Sequence, residues 1–110
     1  KTWAPLKAQE YYLKALRDEE KIEDHALLGR IHNHIGMLYA YQKVYEKALP
    51  FQKKAVENFH LINDSTGQVF ALRDLGRTFL MLGLQDSSII CNQKAIALMR
   101  KRIILRFIRN

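Results

Sequence analysis

The sequence has few residues that interrupt or cross-link a chain: its 110 residues include five glycines, two prolines and one cysteine. A single cysteine excludes an internal disulfide, and a lone cysteine on a helix is usually a small hydrophobic residue. The scarcity of glycine and proline, together with an apolar content of 48%, excludes a disordered or loop-rich chain. Ala, Leu, Lys, Gln, Glu and Arg are abundant, so the composition predicts one helical domain.

The sequence also lacks long apolar runs. None approaches the roughly 20 residues that a membrane span requires, and no signal peptide is visible. These absences predict a soluble domain. The chain begins at Lys1 rather than at methionine, so we expect it to be a piece of a longer protein.

Acidic residues are missing from the C-terminal end, and this explains the net charge of +7. Residues 100–110 contain five basic residues and no acid, whereas the remainder has 13 basic and 11 acidic residues. The body of the domain is therefore nearly neutral. Nucleic-acid binding over the whole surface is disfavoured, and the basic tail is a separate feature.

The sequence repeats with a period of 40 residues. Without any gap, Ile35-Gly36 recurs as Leu75-Gly76, and a Lys-Ala pair recurs at 14–15, 54–55 and 94–95. Such a period indicates an array of similar structural units. The repeat is thus the main organising feature of the chain.

Each unit predicts two helices. Apolar residues three or four positions apart, such as Ile31, Ile35 and Leu38, indicate amphipathic helices. Asp64 and Asp86 are N-cap residue types that precede helical segments. The predicted first helices are 26–42 and 66–82, the predicted second helices are 46–62 and 86–106, and 5–21 is an unpaired copy of the second helix.

The residues at these positions resemble the tetratricopeptide repeat family. The family pattern has a small residue late in the first helix, an aromatic residue three positions later, and two small residues seven apart on the second helix. The matching residues are Gly36, Tyr39, Ala48 and Ala55, then Gly76, Phe79, Ser88 and Ala95. The period of 40 exceeds the usual 34, and it is similar to the longer arrays of bacterial sensory and regulatory proteins.

The resemblance implies an all-α fold, a right-handed superhelical stack of antiparallel helix pairs with about five helices. It divides a single domain, 1–110, into a half repeat at 5–24 (second helix only), a repeat at 25–64, and a repeat at 65–104 with a basic C-terminal extension to 110. It also implies a fragment of a larger bacterial protein, cytoplasmic or periplasmic.

The histidines near the middle of the chain do not form a metal motif. His32 and His34 are two residues apart on a predicted helix and diverge by about 200°. His25 and His32 share a face, but no carboxylate or cysteine joins them at ligand spacing. Cys91 has no histidine placed to activate it, and no phosphate-binding loop or hydrolase motif occurs. We therefore expect no metal site, no cofactor and no enzymatic activity.

The resemblance implies a binding site in the concave groove that the first helices line. Arginines suit carboxylate recognition, and methionine and aromatic side chains suit apolar anchors. The expected partner is a protein or a peptide, and the arginines favour one of acidic character. The implied groove residues are Arg30, Asn33, Met37, Tyr41, Phe70, Arg73, Arg77 and Met81.

The ends of the array suggest alternative functions. The chain could be a structural or self-associating segment of a larger regulatory protein, because the end helices of a short array expose apolar surface. The basic tail could cap the array or dock on a second copy. It could also lie on an anionic membrane or be the start of a longer hydrophobic segment, and these membrane alternatives are not favoured. Nucleic-acid binding through the tail is the weakest alternative, and it predicts a steep loss of affinity with salt.

Overall fold

The computed structural model describes residues 3–19 and 24–109, and within these ranges it contains five α-helices and no strand. Helices α2 and α4 begin 40 residues apart, and so do α3 and α5. The predicted all-α architecture is confirmed. The helices are α1 (Trp3–Glu19), α2 (His25–Tyr41), α3 (Tyr45–Leu61), α4 (Ser65–Met81) and α5 (Gln85–Arg109).

The predicted helix boundaries are close to the observed ones. Helices α2, α3 and α4 each begin and end one residue earlier than predicted. Helix α1 begins two residues earlier, and residues 20 and 21 at its predicted end lie outside the described ranges. Helix α5 extends to Arg109 instead of ending at 106, because its last residues are helix-compatible and contain no glycine or proline.

Three short turns of the same form connect α2 to α5. The middle residue of each turn, Lys43, Asn63 or Gly83, has a left-handed backbone with φ of 64°, 56° and 79°. The N–H of the following residue then bonds back to a carbonyl in the last helical turn, as Val44 does to Tyr39 at 2.9 Å. This arrangement satisfies carbonyls that the helix leaves free and reverses the chain within three residues.

Aspartate side chains cap the first helix of each repeat. Asp24 accepts a hydrogen bond from the Leu27 N–H at 3.1 Å, and Asp64 accepts one from the Gly67 N–H at 2.9 Å. The predicted cap at Asp86 is wrong, because α5 already begins at Gln85 and Asp86 lies in its first turn. Its negative charge there still favours the helix N-terminus.

The helices pack in the order of the sequence. Each helix contacts its neighbours in the chain, and α2 also contacts α4. The result is a stack of antiparallel helices in which the two first helices, α2 and α4, lie side by side. The division of the chain into repeats at 25–64 and 65–104 stays a prediction.

The small residues of the repeat pattern are buried between the helices. Ala48, Ala55, Ser88 and Ala95 are all buried. Around them, aromatic residues fill the space between helices: the Tyr39 ring stacks on the Phe51 ring with centroids 5.6 Å apart. The residues of the family pattern thus form the contacts that hold the stack together.

Candidate functional site

The predicted groove residues lie on the surface that α2 and α4 form together. Seven of the eight side chains are exposed, and Asn33 is partly buried. Their spacing of three or four residues keeps them on one face of each helix, while the other faces enter the core. Met37, Tyr41 and Met81 are large apolar side chains, and about half or more of each is exposed.

Four of the eight residues line one cleft between α2 and α4. This cleft has a volume of about 350 Å³, and Met37, Tyr41, Arg77 and Met81 form its walls together with Ala40 and Tyr45. Gln52, Asp74 and Thr78 complete the lining. We call this set of residues the α2/α4 cleft. It combines apolar walls, one arginine and several polar atoms.

The other four predicted residues lie outside the α2/α4 cleft. The Arg73 guanidinium sits over the Phe70 ring, 5.1 Å from its centroid. Asn33 forms a hydrogen bond with Asp74, and Arg30 is exposed on α2. The predicted groove therefore separates into a cleft with four residues and a neighbouring surface with the rest.

Asp74 is the acidic group of the cleft, and the structure places it between the two predicted arginines of α4. Burial raises the pKa of its carboxyl above the ordinary value of 3.8, while Arg73, Arg77 and the hydrogen bond from Asn33 lower it by smaller amounts. The two arginines and Asn33 therefore offset only part of the unfavourable free energy of burying the charged carboxylate. A ligand that brings a hydrogen-bond donor here would stabilise it.

A second acceptor in the cleft has no partner. Gln52 is 1% exposed, and among the described residues its Oε1 atom meets no hydrogen-bond donor. An unsatisfied buried acceptor is unfavourable by about 1–3 kcal/mol. Sequence analysis missed Gln52, although its position between Ala48 and Ala55 on the packing face could have indicated burial.

Replacing Asp74 by asparagine is expected to raise the free energy of unfolding at pH 7. The pKa of Asp74 is higher in the folded state, so the ionised side chain disfavours folding, and stability falls as pH rises through that pKa. At about pH 3, below its unfolded pKa, the wild-type carboxyl is neutral and the two proteins should be equally stable. Urea unfolding at both pH values measures the difference; a less stable variant at pH 7 would contradict this.

The histidines of α2 are engaged in local contacts. The Nδ1 atoms of His32 and His34 donate to the carbonyls of Leu28 and Arg30 at 2.8 and 2.7 Å, and His25 bonds to Asn58 at 2.9 Å. Within the described ranges no three metal-ligating side chains cluster together.

Cys91 is buried against α4, and this burial raises the pKa of its thiol. A protonated, buried thiol is a weak nucleophile. This side chain therefore serves packing in the same cluster as Leu72 and Leu75.

The sequence matches one model of a known protein family. The family model of the tetratricopeptide repeat matches residues 27–101, which comprise four of the five helices in whole or in large part. The chain belongs to the tetratricopeptide repeat family. Neither a curated protein nor a solved structure matches the chain.

Membership of the tetratricopeptide repeat family indicates a general role in protein–protein interaction. Tetratricopeptide repeats mediate contacts between proteins and are typically non-catalytic scaffolds, and the chain is a helical repeat domain of this kind. The resemblance to long-period arrays of bacterial sensory proteins stays a prediction. Among the described helices, none has the length and hydropathy needed to cross a membrane.

Proposed function

We propose that this tetratricopeptide repeat domain is a non-catalytic scaffold that binds a peptide segment of another protein in the α2/α4 cleft. One observation carries the proposal: the cleft joins three exposed apolar side chains, Met37, Tyr41 and Met81, to the exposed Arg77. Binding sites for peptides combine apolar anchors with a few polar groups that set orientation.

The chemistry of the cleft defines the expected ligand. An apolar side chain would lie among Met37, Tyr41 and Met81. A carboxylate would pair with Arg77, since guanidinium groups bind carboxylates in a bidentate manner. The predicted groove as a whole has three arginines beside the single acid Asp74, so a peptide with acidic residues around an apolar anchor is the proposed partner.

The alternative function, a structural or self-associating segment of a larger regulator, depends on the ends of the array. All of residues 101–109 are exposed, so a contact of the tail with another copy or with an anionic membrane is open to test. Neither contact uses the α2/α4 cleft. The two functions can therefore be separated by mutation.

Selection from a random peptide library on the immobilised domain tests the proposed function. We expect peptides with an apolar residue next to acidic residues, and we expect the double variant Arg73→Glu/Arg77→Glu to weaken their binding at least about 100-fold, since charge reversal replaces attraction by repulsion. Fluorescence anisotropy with a labelled selected peptide gives the dissociation constants. Circular dichroism would verify that the helical content is unchanged.

The matched control is Lys101→Glu/Arg106→Glu, which makes the same change in net charge on exposed residues of α5. This control should leave binding within about threefold of the original protein, because screening reduces the effect of charges beyond a Debye length of about 8 Å. Equal losses in both double variants would indicate a non-specific charge effect and would contradict the proposed site, as would a library that yields no binder.

A further inference from the structure

Helix α4 has a second accessible face, away from the α2/α4 cleft. Helix α2 contacts α4, whereas α3 and α5 do not contact each other within the described ranges. The gap between α3 and α5 leaves a groove along the face of α4 that carries Leu72, Leu75 and Phe79. This face is opposite the one that carries Arg77 and Met81, because each residue of a helix advances by about 100°.

Two adjoining cavities form this groove, with volumes of about 300 and 530 Å³. Lys53 of α3, Leu72 of α4 and Lys94 of α5 line both of them. On α4 the lining extends from Gln68 to Phe79, a length of about 16 Å or three helical turns. We call this surface the α3/α5 groove and define it by Lys53, Val56, Phe79, Ile90, Lys94 and Leu98.

The lining of the α3/α5 groove is largely apolar and offers few free backbone groups. Ile90 is 51% exposed, and Val56, Phe79 and Leu98 are partly buried. The lining residues lie within α3, α4 and α5, so most of their backbone N–H and C=O groups are bonded inside a helix. An extended peptide would leave its own backbone groups without partners there, whereas a helix satisfies them internally.

Two ammonium groups lie over this apolar lining, one from each wall. Lys53 and Lys94 are exposed, and the Lys53 Nζ atom lies 5.7 Å from the centroid of the Phe79 ring. Burial raises the pKa of the Cys91 thiol, and Lys94 and Lys53 both lower it by smaller amounts, so both charges act on the same part of the groove. Among the described residues, no carboxylate is paired with either ammonium group.

The lysine at position 53 is not part of the repeat pattern. The residues 40 positions before and after it are Leu13 and Gln93, whereas Lys94 belongs to the recurring Lys-Ala pair. The packing of the repeat therefore does not require a cation at position 53. A cation on both walls is a particular feature of this groove.

We propose that the α3/α5 groove binds an amphipathic helix of a partner protein that carries acidic residues on both borders of its apolar stripe. The apolar stripe would lie against Val56, Phe79 and Ile90, and the carboxylates would pair with Lys53 and Lys94. Burial of the apolar stripe supplies the affinity, and the two lysines select the helix by its charge.

Glu57 gives the groove a direction. It lies with His60 and Gln68 at one end, whereas Phe79 lies at the other. An acidic residue of the partner would be repelled at the Glu57 end, because like charges raise each other's energy. The acidic residues of the partner should therefore lie level with the two lysines and towards Phe79.

This proposal goes beyond the proposed function and does not depend on it. The α3/α5 groove and the α2/α4 cleft share no lining residue. The double variant Arg73→Glu/Arg77→Glu should therefore change the affinity for the partner helix by less than about threefold, since screening weakens distant charges. A failure of peptide binding in the α2/α4 cleft leaves the α3/α5 groove untouched.

Three designed helical peptides of about 18 residues test the groove, all with the same stripe of leucines on one face. The positions that border the stripe are glutamate in the first peptide, lysine in the second and glutamine in the third. Fluorescence anisotropy with the full chain should give a dissociation constant in the micromolar range for the glutamate peptide. The lysine peptide should bind at least about tenfold more weakly, and the glutamine peptide should be intermediate.

Charge reversal of both lysines should invert this preference. The variant Lys53→Glu/Lys94→Glu is expected to bind the lysine peptide more tightly than the glutamate peptide. The matched control, Lys47→Glu/Arg106→Glu, makes the same change in net charge at exposed positions of α3 and α5 that do not line the groove. This control should keep the original preference, and both variants should retain the helical circular dichroism because all four positions are exposed.

Cysteine protection locates the bound peptide. In a Cys91→Ala background, Ala97→Cys places a thiol in the groove, and Ile96→Cys places one at the neighbouring exposed position, which lines neither cavity. Saturation with the glutamate peptide should slow alkylation of Ala97→Cys at least about fivefold and leave that of Ile96→Cys within about twofold, because a covered thiol reacts more slowly.

Several results would overturn the proposal. One is a glutamate peptide that does not bind, and another is equal affinity for the glutamate and lysine peptides. A third is a preference that the control variant inverts and the variant Lys53→Glu/Lys94→Glu keeps. A fourth is binding that Arg73→Glu/Arg77→Glu abolishes and that leaves Ala97→Cys unprotected, which would place the helix in the α2/α4 cleft.

Discussion

Replacing Phe59 by alanine is expected to lower the free energy of unfolding by about 3–5 kcal/mol. Phe59 is in α3 and is 7% exposed, and its ring fills the space between Gly29 of α2 and Gly67 of α4. A methyl group added at these glycines would lie only 2.9 Å and 2.5 Å from the ring. Alanine would leave a cavity where three helices meet. The loss is large because the whole free energy of unfolding of a domain is only about 5–15 kcal/mol.

Urea unfolding followed by circular dichroism measures the effect. The matched control is Phe70→Ala, because Phe70 is 50% exposed on α4 and its removal creates no buried cavity. We expect a loss below about 1 kcal/mol for this control. Similar losses in the two variants would mean that the Phe59 ring does not join the helices as its contacts indicate.

Alanine substitution at the two equivalent glycines is expected to lower the free energy of unfolding more at Gly36 than at Gly76. At Gly36 the new Cβ would lie 2.6 Å from Cγ of the buried Gln52, so the variant should lose about 1–3 kcal/mol through overpacking. At Gly76 the nearest atoms are Oδ1 of the exposed Asn92, at 3.2 Å, which can move, and Cβ of the buried Cys91, at 3.3 Å, which must give by a few tenths of an ångström. The Gly76→Ala variant should lose less than about 1 kcal/mol, since the helix preference of alanine offsets most of this milder crowding.

Thermal and urea unfolding of the two variants make the comparison. Equal destabilisation at both positions would show that the two repeats pack alike and that the contact between Gly36 and Gln52 is not special. The Gly36→Ala variant also offers a link to the binding site, because Gln52 belongs to the α2/α4 cleft. A displaced Gln52 should alter peptide affinity, whereas Gly76→Ala should not.

The sequence was sufficient to predict the helices, since the information lies in short-range patterns. Apolar spacing marks the face of each helix, and residues such as Asp64 mark where a helix begins. The family resemblance implied the close contacts at Gly36 and Gly76 for the same reason: small residues recur at a constant distance. The error at Asp86 arose because a carboxylate one residue inside a helix has the same sequence context as a cap.

The candidate site could be predicted only in part. The exposure of Met37, Tyr41, Arg77 and Met81 follows from periodicity within one helix, and the structure has them together in one cleft. The role of Gln52 depends on how α3 meets α2 and α4, and no spacing within a single helix contains that information. The partial burial of Asp74, and the rise of its pKa, likewise follow from packing between helices.

The sequential packing of the helices has a consequence for how the chain reaches its fold. Within residues 3–19 and 24–109, nearly every contact joins helices that are neighbours in the chain, and α2 and α4 are the one pair that meets across an intervening helix. Loop closure therefore costs little entropy before contacts form, and low contact order is the topology of rapidly folding domains. Assembly can start at any hairpin and spread to its neighbours, so that the ends of the stack are the last parts to gain, and the first to lose, their cooperative support.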